Sequence, residues 1–479
     1  MHYKDLQHYM KMIDKKKQLR RIKAEVSPNL EITEIADRVV KRNGEALLFE
    51  NVKGSEFPLL INAFGTYERM AWSLGVKDIN DIGKRIENLI NIKNYATLTD
   101  KIKAVPELAK LLTVFPIKIK NAPCQEVIEE ADLSKLPIIK CWPDDGGKFI
   151  TLPLVFTKDP ETGTQNIGMY RLQVYDKKTT GLHMHIHKDG HEIYQKYRKR
   201  GGRMPVSVVI GADPATIYAS TAPLPKMIDE IMFAGFLRNC PVPLVKCVTN
   251  DIYVPANSEF VLEGYVDMDE LRMEGPFGDH TGYYSEKDMY PVFHVTKMTR
   301  KKNPVYVTTI VGKPPMEDCY MGKATERIFL PLIKMINPEI VEMNFPLEGV
   351  FHNCVIVSIH KKYPNHAKKV MNSIWGMGQM MYTKMVIVVD KEVNPHDLST
   401  VAWKVFNNID AKRDVVISDG PLDALDHASN TRFMGNRMGI DATKKWETEG
   451  YTRDWPDGLD MSEAVKRKVS KRWKEYGFR

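Results

Sequence analysis

The chain has 479 residues, 43% hydrophobic and 27% charged, a composition that supports buried cores and excludes a low-complexity or disordered class. At roughly 150 residues per domain, this length predicts about three domains. The 69 basic and 61 acidic residues leave a formal charge of +8, too small an excess over this length to specify a polyanionic partner.

The first well-punctuated element is "SPNLEITEIADRVVKRNG". Ile32, Ile35, Ala36, Val39 and Val40 recur at helical spacing, with Ser27-Pro28-Asn29 before them and Gly44 after them. "EALLFEN" and "FPLLINAFG" are short apolar runs bounded by Gly, Pro or Asn and predict strands, so residues 1–120 are expected to form an α/β domain.

Residues 121–315 change character. "ITLPLVFTKD", "GMYRLQVYD", "LHMHIHKD", "PVSVVIGAD", "PLVKCVTNDIYVP", "EFVLEGYVDM", "PVFHVTKMTR" and "PVYVTTIVG" are closely spaced β-rich runs, interrupted by one helical stretch around "PKMIDEIMFAGFL". Such a series predicts a barrel or sandwich. From residue 316 to 479 helical and strand patterns alternate again, through "TERIFLPLIKMI", "CVIVSIHKK", "NHAKKVMNSIWGMGQMM", "KMVIVVD" and "DLSTVAWKVFNNID", which predicts a second α/β domain closed by a basic C-terminal helix.

The six cysteines, at 124, 141, 240, 247, 319 and 354, form no CxxC pair and no regular framework, so no disulfide is expected. Neither a signal-peptide pattern nor an apolar run of membrane-spanning length is present, and the expected location is cytoplasmic.

Three stretches could carry chemistry. "GLHMHIHKDG" sets His183, His185 and His187 at period two, which on a strand places all three on one face. Imidazole suits Mn, Fe and Zn, but parallel side chains converge poorly on one ion, so a polar sheet face is the competing reading. "MEGPFGDHTGYY" puts Glu274 and Asp279 on either side of a Gly-Pro-Phe-Gly turn. They are either acids of a solvent turn or two carboxylates aimed into one cavity with their pKa values pushed apart, for which Arg171 is the candidate cation. "IGADPATIYASTAPLP" is a small-residue loop suited to close backbone approach, without the GxGxxG or GxxxxGK[ST] pattern of NAD or ATP sites. The basic clusters "KKKQLRR", "KYRKRGGR", "KMTRKK" and "KRKVSKRWK" lack aromatic interleaving, so solvated faces or subunit contacts are expected and nucleic acid is not.

In order and spacing these motifs, together with "NLEITEIADR", "ADPATI", "HAKKVM" and "MGIDATKKW", resemble the UbiD family of decarboxylases that use prenylated FMN, over nearly the whole chain. The resemblance implies an N-terminal α/β domain, a middle split β-barrel of the flavin-binding type and a C-terminal α/β domain, assembled as a homodimer or hexamer. It implies that Asn166, His187 and Glu230 hold a divalent ion, usually manganese, that binds the cofactor phosphate, with a potassium ion nearby. His183 and His185 are outside that pattern. Arg171, Glu274 and Asp279 fall on the family's catalytic Arg, Glu and acid positions, with Asp279 one methylene shorter than the Glu of some members. Ser220, Thr221 and Pro223 fall near the flavin or potassium, and Lys384 near the phosphate.

The implied reaction is reversible, non-oxidative decarboxylation of an aromatic acid. Loss of CO2 from an sp² carbon leaves electron density that side chains cannot absorb, and a modified flavin that forms a covalent adduct with the substrate can. Arg171 is expected to keep Glu274 charged, leaving Asp279 to carry the transferable proton. The resemblance is strongest to the 3-polyprenyl-4-hydroxybenzoate decarboxylases of quinone biosynthesis, through "LLFENVKG", "APCQEV", "CWPDDGG" and "GDHTGYY". It implies a 4-hydroxybenzoate-type substrate, peripheral membrane contact if that substrate is polyprenylated, and a flavin prenyltransferase as cofactor supplier. Naphthoate, simple phenolic and cinnamic acids remain open as substrates, as do ubiquinone, menaquinone and phenolic-acid metabolism as settings. A metal-dependent hydrolase and a basic nucleic-acid-binding scaffold are the rivals from other classes.

Overall fold

The computed structural model describes residues 2–92, 114–185, 188–226 and 228–478. Asp5 starts the first helix, Leu6–Lys15, by accepting the His8 amide at 2.8 Å, which satisfies one of the free N–H groups of a helix start. The predicted helix forms over Glu31–Val40 and buries Ile32, Ala36 and Val40. It connects two parallel strands, Leu19–Val26 and Ala46–Val52, and Leu59–Ile61 adds antiparallel to the second. The fourth strand of this sheet is Tyr306–Val307, parallel to Leu59–Ile61, so the run "PVYVTT" joins the N-terminal sheet instead of the middle one. One buried apolar cluster runs from Tyr3 to Ile328, and the first two expected domains share it.

The β-rich segment forms a seven-stranded antiparallel sheet. Its order is Thr179–Gly181, Asp288–Arg300, Phe260–Glu274, Arg203–Ile210, Leu154–Lys158, Gln165–Gly168, with Val127–Glu130 also paired to Asp288–Arg300. The order runs from edge to edge without closing, so the expected barrel takes the form of an open sheet flanked by smaller ones. Phe260–Glu274 and Asp288–Arg300 are its longest strands, and Glu274 lies opposite Asp288 at their far end. The long central strand thus delivers Glu274 to the start of the Gly-Pro turn.

The histidine stretch departs from its expected strand. Regular pairing stops at Gly181, and residues 182–185 continue as irregular chain. His183 and His185 still meet, with ring centres 4.5 Å apart, and His183 also turns toward Glu274. His187 lies outside the described residues.

The C-terminal unit is a five-stranded sheet in the order Ile340–Asn344, Cys354–Ile359, Met385–Asp390, Met434–Asp441, Val415–Pro421. Its three inner strands are parallel and its two outer ones antiparallel. Val355, Val357, Val386 and Val388 pack with Val370 and Met371 of the helix His366–Trp375. The basic terminal helix, Glu463–Lys471, has no buried residue. All six cysteines are free, and no helix among the described residues is long and apolar enough to cross a membrane.

Candidate active site

Two of the quoted motifs interlock. After Glu274 the chain turns through Gly275, whose φ of 93° lies in the region that glycine tolerates. Gly278 packs so closely on Trp142 that an added Cβ would lie 2.2 Å from the indole Cδ1. The buried Asp145 of "CWPDDGG" accepts from the amides of Cys141, Trp142 and Gly278 at 3.1, 2.8 and 2.8 Å. Gln173 accepts from Gly275 N–H at 2.7 Å and donates to the Gly146 carbonyl at 2.9 Å. Asp145→Ala would strip three backbone donors of their acceptor, and its expected cost is about 2–4 kcal/mol in urea unfolding, from roughly 1–3 kcal/mol per unsatisfied buried group with partial relaxation. Asp145→Asn should lose less, since its amide oxygen still accepts.

The turn brings Glu274 and Asp279 to one guanidinium. Arg171 Nε donates to Glu274 Oε1 at 2.9 Å, and its two terminal nitrogens reach Asp279 Oδ2, Glu274 Oε2 at 3.3 Å and Ser285 Oγ at 3.2 Å. The ring of Phe277, centred 4.6 Å from the guanidinium carbon, closes one side of the cluster. Glu274 is fully buried and Asp279 nearly so.

Burial is the largest influence on both carboxyls and would raise them, but the neighbouring charges and donors outweigh it. The His183 hydrogen bond and the Arg171 charge bring Glu274 down to about 2. The Arg171 charge and the hydrogen bond from His280 hold Asp279 well below the usual carboxylate range. Both acids are therefore ionised in this arrangement. That differs from the expected division, in which Arg171 charges Glu274 alone and Asp279 rests protonated, because one guanidinium has enough donors to serve both groups.

Two histidines flank the cluster. Burial and Arg171 lower His183, so it is neutral; its Nδ1–H donates to Glu274 Oε2 at 2.6 Å and its Nε2 lies 3.1 Å from His185 Nε2. On the other side His280 Nδ1–H donates to Asp279 Oδ1 at 3.0 Å, and its own amide donates to the same oxygen at 2.7 Å. Burial would lower His280, but the bond to Asp279 prevails and raises it. His280 Nε2 in turn meets His352 Nε2, on the C-terminal unit, at 2.8 Å.

A second pair of expected residues also comes together. Asn166 sits on Gln165–Gly168, and Glu230 opens the helix Glu230–Arg238, whose start Asp229 caps. The amide of Ile167 donates to Glu230 Oε2 at 3.4 Å. Burial pushes Glu230 up to about 7, and the buried Asn166 side chain interacts with Tyr170. A half-buried carboxyl with no ion pair among the described residues, next to an amide side chain, suits a divalent ion bound by oxygen and imidazole donors.

The remaining expected residues engage other partners. The hydroxyls of Ser220 and Thr221 donate to the carbonyls of Ile217 and Tyr218 at 2.7 Å each, at the end of a short helix, and Pro223 is half-buried in the loop beyond. Lys384, just before the strand Met385–Asp390, is ion-paired with Asp426. His183 is named in the sequence only as a possible metal ligand, and Asp145, His280 and His352 are not among the residues expected at the site. His280 directly follows Asp279, so its adjacency was the available signal.

Three consecutive segments match models of one family. Residues 10–86 match the 3-octaprenyl-4-hydroxybenzoate carboxy-lyase N-terminal domain, 117–314 its Rift-related domain and 319–442 its C-terminal domain. The chain belongs to the UbiD family. An uncharacterized protein from Archaeoglobus fulgidus is 52% identical over 477 residues, covering 99% of both chains. The vanillic acid decarboxylase of Sedimentibacter hydroxybenzoicus in its closed form superposes with a TM-score of 0.86 at 28% identity, over 99% of this chain and all of that one. The UbiD-class enzyme HmfF from Pelotomaculum thermopropionicum, in complex with FMN, gives 0.80 at 28% identity, over 96% and 99%. The open form of the vanillic acid decarboxylase gives 0.79 at 27% identity, over 99% and 100%. The better agreement with the closed form accords with the contacts between the middle and C-terminal units of this UbiD-family chain. Besides His280 and His352, these join Asp288 to Arg432 at 2.6 Å and set Tyr283 against His427 with ring centres 4.1 Å apart and planes tilted by 42°.

Proposed function

We propose that the protein removes CO2 from an aromatic acid of the 4-hydroxybenzoate type, free or polyprenylated, using prenylated FMN. The observation that carries this reading is the buried Arg171–Glu274–Asp279 cluster in a chain matched by a carboxy-lyase family from residue 10 to 442. Membership of that family speaks against the hydrolase and nucleic-acid readings.

When bound, prenylated FMN supplies the electron sink that a decarboxylated sp² carbon requires. The protein's part is to hold and protonate. Arg171 fixes both carboxylates in place, and His183 helps keep Glu274 an anion. Asp279 moves a proton to the carbon that loses CO2, which requires it to be reprotonated within each turnover. Asn166 and Glu230, with His187, would hold the manganese ion that takes the cofactor phosphate. Ser220, Thr221 and Pro223 would line the cofactor, and Lys384 would exchange Asp426 for the phosphate. A flavin prenyltransferase is the implied cofactor source. Trp403 and Phe406, 55% and 80% exposed on the helix Leu398–Asn408, support assembly into a homo-oligomer.

The test is to produce the protein together with a flavin prenyltransferase, record its absorption spectrum, measure manganese and potassium, and follow CO2 release. Polyprenyl-hydroxybenzoate, 4-hydroxybenzoate, dihydroxynaphthoate and cinnamate would be offered in parallel. Turnover of a 4-hydroxylated benzoate is expected, and turnover confined to cinnamate would overturn the substrate class. Glu230→Ala and His187→Ala are expected to purify without flavin or manganese, whereas His183→Ala should retain both. The opposite pattern would reject this ligand set.

A further inference from the structure

Asp279, ionised beside Arg171, needs a new proton for every product released. Its Oδ2 is taken by the guanidinium and its Oδ1 by His280, so the imidazole is the only acid other than Arg171 that touches this carboxylate among the described residues. From there the contacts continue in one direction. His280 Nε2 meets His352 Nε2 at 2.8 Å, with the two rings nearly perpendicular at 72°. His352 Nδ1 is buried and makes no hydrogen bond among the described residues. An Asp423 carboxylate oxygen lies within 4.8 Å of a nitrogen of each ring. His280 belongs to the middle-domain turn, and His352 and Asp423 to the C-terminal unit.

Two imidazole nitrogens 2.8 Å apart share one proton, because two lone pairs or two N–H groups would repel at that distance. Since His280 Nδ1–H is committed to Asp279, the pair has two consistent states. In one, neutral His280 accepts from His352 Nε2–H. In the other, cationic His280 donates to His352 Nε2. With His352 neutral in both, the second state holds one proton more than the first, taken up at His352 Nδ1 as the shared proton moves to His280. We propose that His280 and His352 form a two-imidazole proton relay that reloads Asp279 after each turnover, with Asp423 positioning its outer end. The proposal rests on the decarboxylase reading above, in which Asp279 is the proton donor.

The step balances. The carbon–carboxyl bond breaks and its electron pair stays with the organic fragment as CO2 leaves. That pair forms a C–H bond with the proton of the Asp279 carboxyl. Asp279 then takes Nδ1–H from His280, His280 Nε2 takes the proton from His352 Nε2, and His352 Nδ1 takes one from water, leaving hydroxide; both rings are left as the opposite tautomers and must return to His280 Nδ1–H and His352 Nε2–H, by ring rotation and exchange with water, before the next turnover. One proton enters from solvent for each CO2 released.

The electrostatics suit the hop from His352 to His280, whereas the hop on to Asp279, held low by Arg171, runs uphill and is drawn forward by formation of the product C–H bond. Asp279, Asp423 and Asp318 face His280 and outweigh the burial that would lower it. His352, facing His280, Asp423, Lys188 and Asp279, is pushed down to about 4, first by burial and then by the His280 charge, so it is neutral at pH 7 and can receive and pass a proton. Because the two histidines sit on different units, the relay exists only when these units are packed together as they are here.

The same three side chains have the types that bind zinc, and a resident zinc would occupy the nitrogen lone pairs and block the relay. The experiment therefore has two parts. In the first, reconstituted wild type, His352→Gln and His352→Ala are followed through a single turnover, with CO2 release and protonated product measured separately. His352→Gln keeps a polar side chain that cannot pass a proton. CO2 release is expected to stay near the wild-type rate while product formation slows about tenfold or more. Added imidazole should restore part of the product rate in His352→Ala, which a merely structural defect would not allow. In the second, the apo-protein labelled with 15N-histidine is titrated by NMR, and zinc is measured in the same samples. Removal of His352 is expected to displace the His280 titration, a result independent of whether any acid is turned over. Product formation by His352→Gln at the wild-type rate, an unchanged His280 titration, or one zinc per chain lost with His352 would each overturn the relay.

Discussion

Asp279→Asn is expected to lower product formation by about 10²–10⁴-fold, the range for loss of a positioned acid–base group. The amide keeps the size of the side chain, and its single oxygen still accepts from Arg171 while its NH2 faces His280, so cofactor and substrate should bind. It cannot give up and regain a proton. The charge of the cluster also changes, since Arg171 then balances one carboxylate instead of two. Two measurements separate these effects: the steady-state rate, and incorporation of deuterium from D2O at the carbon that carried the carboxyl group. Both are expected to fall together. Asp279→Asn working near the wild-type rate with full cofactor occupancy would mean that the proton comes from another group.

Arg171→Met is expected to be the most destabilising single change at the site. It leaves Glu274 and Asp279 buried without their cation, for which the usual cost is about 3–5 kcal/mol. The pH dependence gives the sign. Glu274 is held near 2 against an ordinary 4.5, and Asp279 is lowered as well, so the stability these groups contribute is fully present above their ordinary values. In the wild type that contribution is lost as pH falls from about 4.5 toward 2. Without Arg171, Glu274 keeps only the His183 bond and Asp279 only His280 against burial, so both carboxyls rise from their wild-type positions and contribute less stability above their ordinary values. Urea unfolding at pH 7, 5 and 3 should therefore show a gap between wild type and Arg171→Met that narrows on acidification. A constant gap would mean that the ion pair contributes no stability through these carboxylates.

Local patterning reveals much of this fold. The helix Glu31–Val40 and the strands Ala46–Val52 and Arg203–Ile210 follow from periodicity and punctuation, because each buries one face or a continuous apolar run. Partner choice is not local. Nothing in "PVYVTT" tells that Tyr306–Val307 extends the N-terminal sheet, since a short apolar run carries no address. The site divides in the same way. Glu274 and Asp279 stand out in a Gly-Pro turn, yet the role of Asp145 is hidden, because an aspartate in "PDDGG" reads as a surface turn until the Gly278 amide is seen pointing at it. Strand periodicity extended past Gly181 misses that His183 leaves regular pairing and meets Glu274. His352 lies 72 residues from His280 and Asp423 farther still, and only the packing of the C-terminal unit on the turn brings them together.

The central claim, decarboxylation of an aromatic acid that depends on prenylated FMN, is tested most directly by one comparison. CO2 release from 4-hydroxybenzoate-type acids is measured for protein produced alone, protein loaded with FMN, and protein produced with a flavin prenyltransferase. Release confined to the third sample is the predicted result. Equal release from all three, or none from the third despite full occupancy by prenylated FMN, would contradict it.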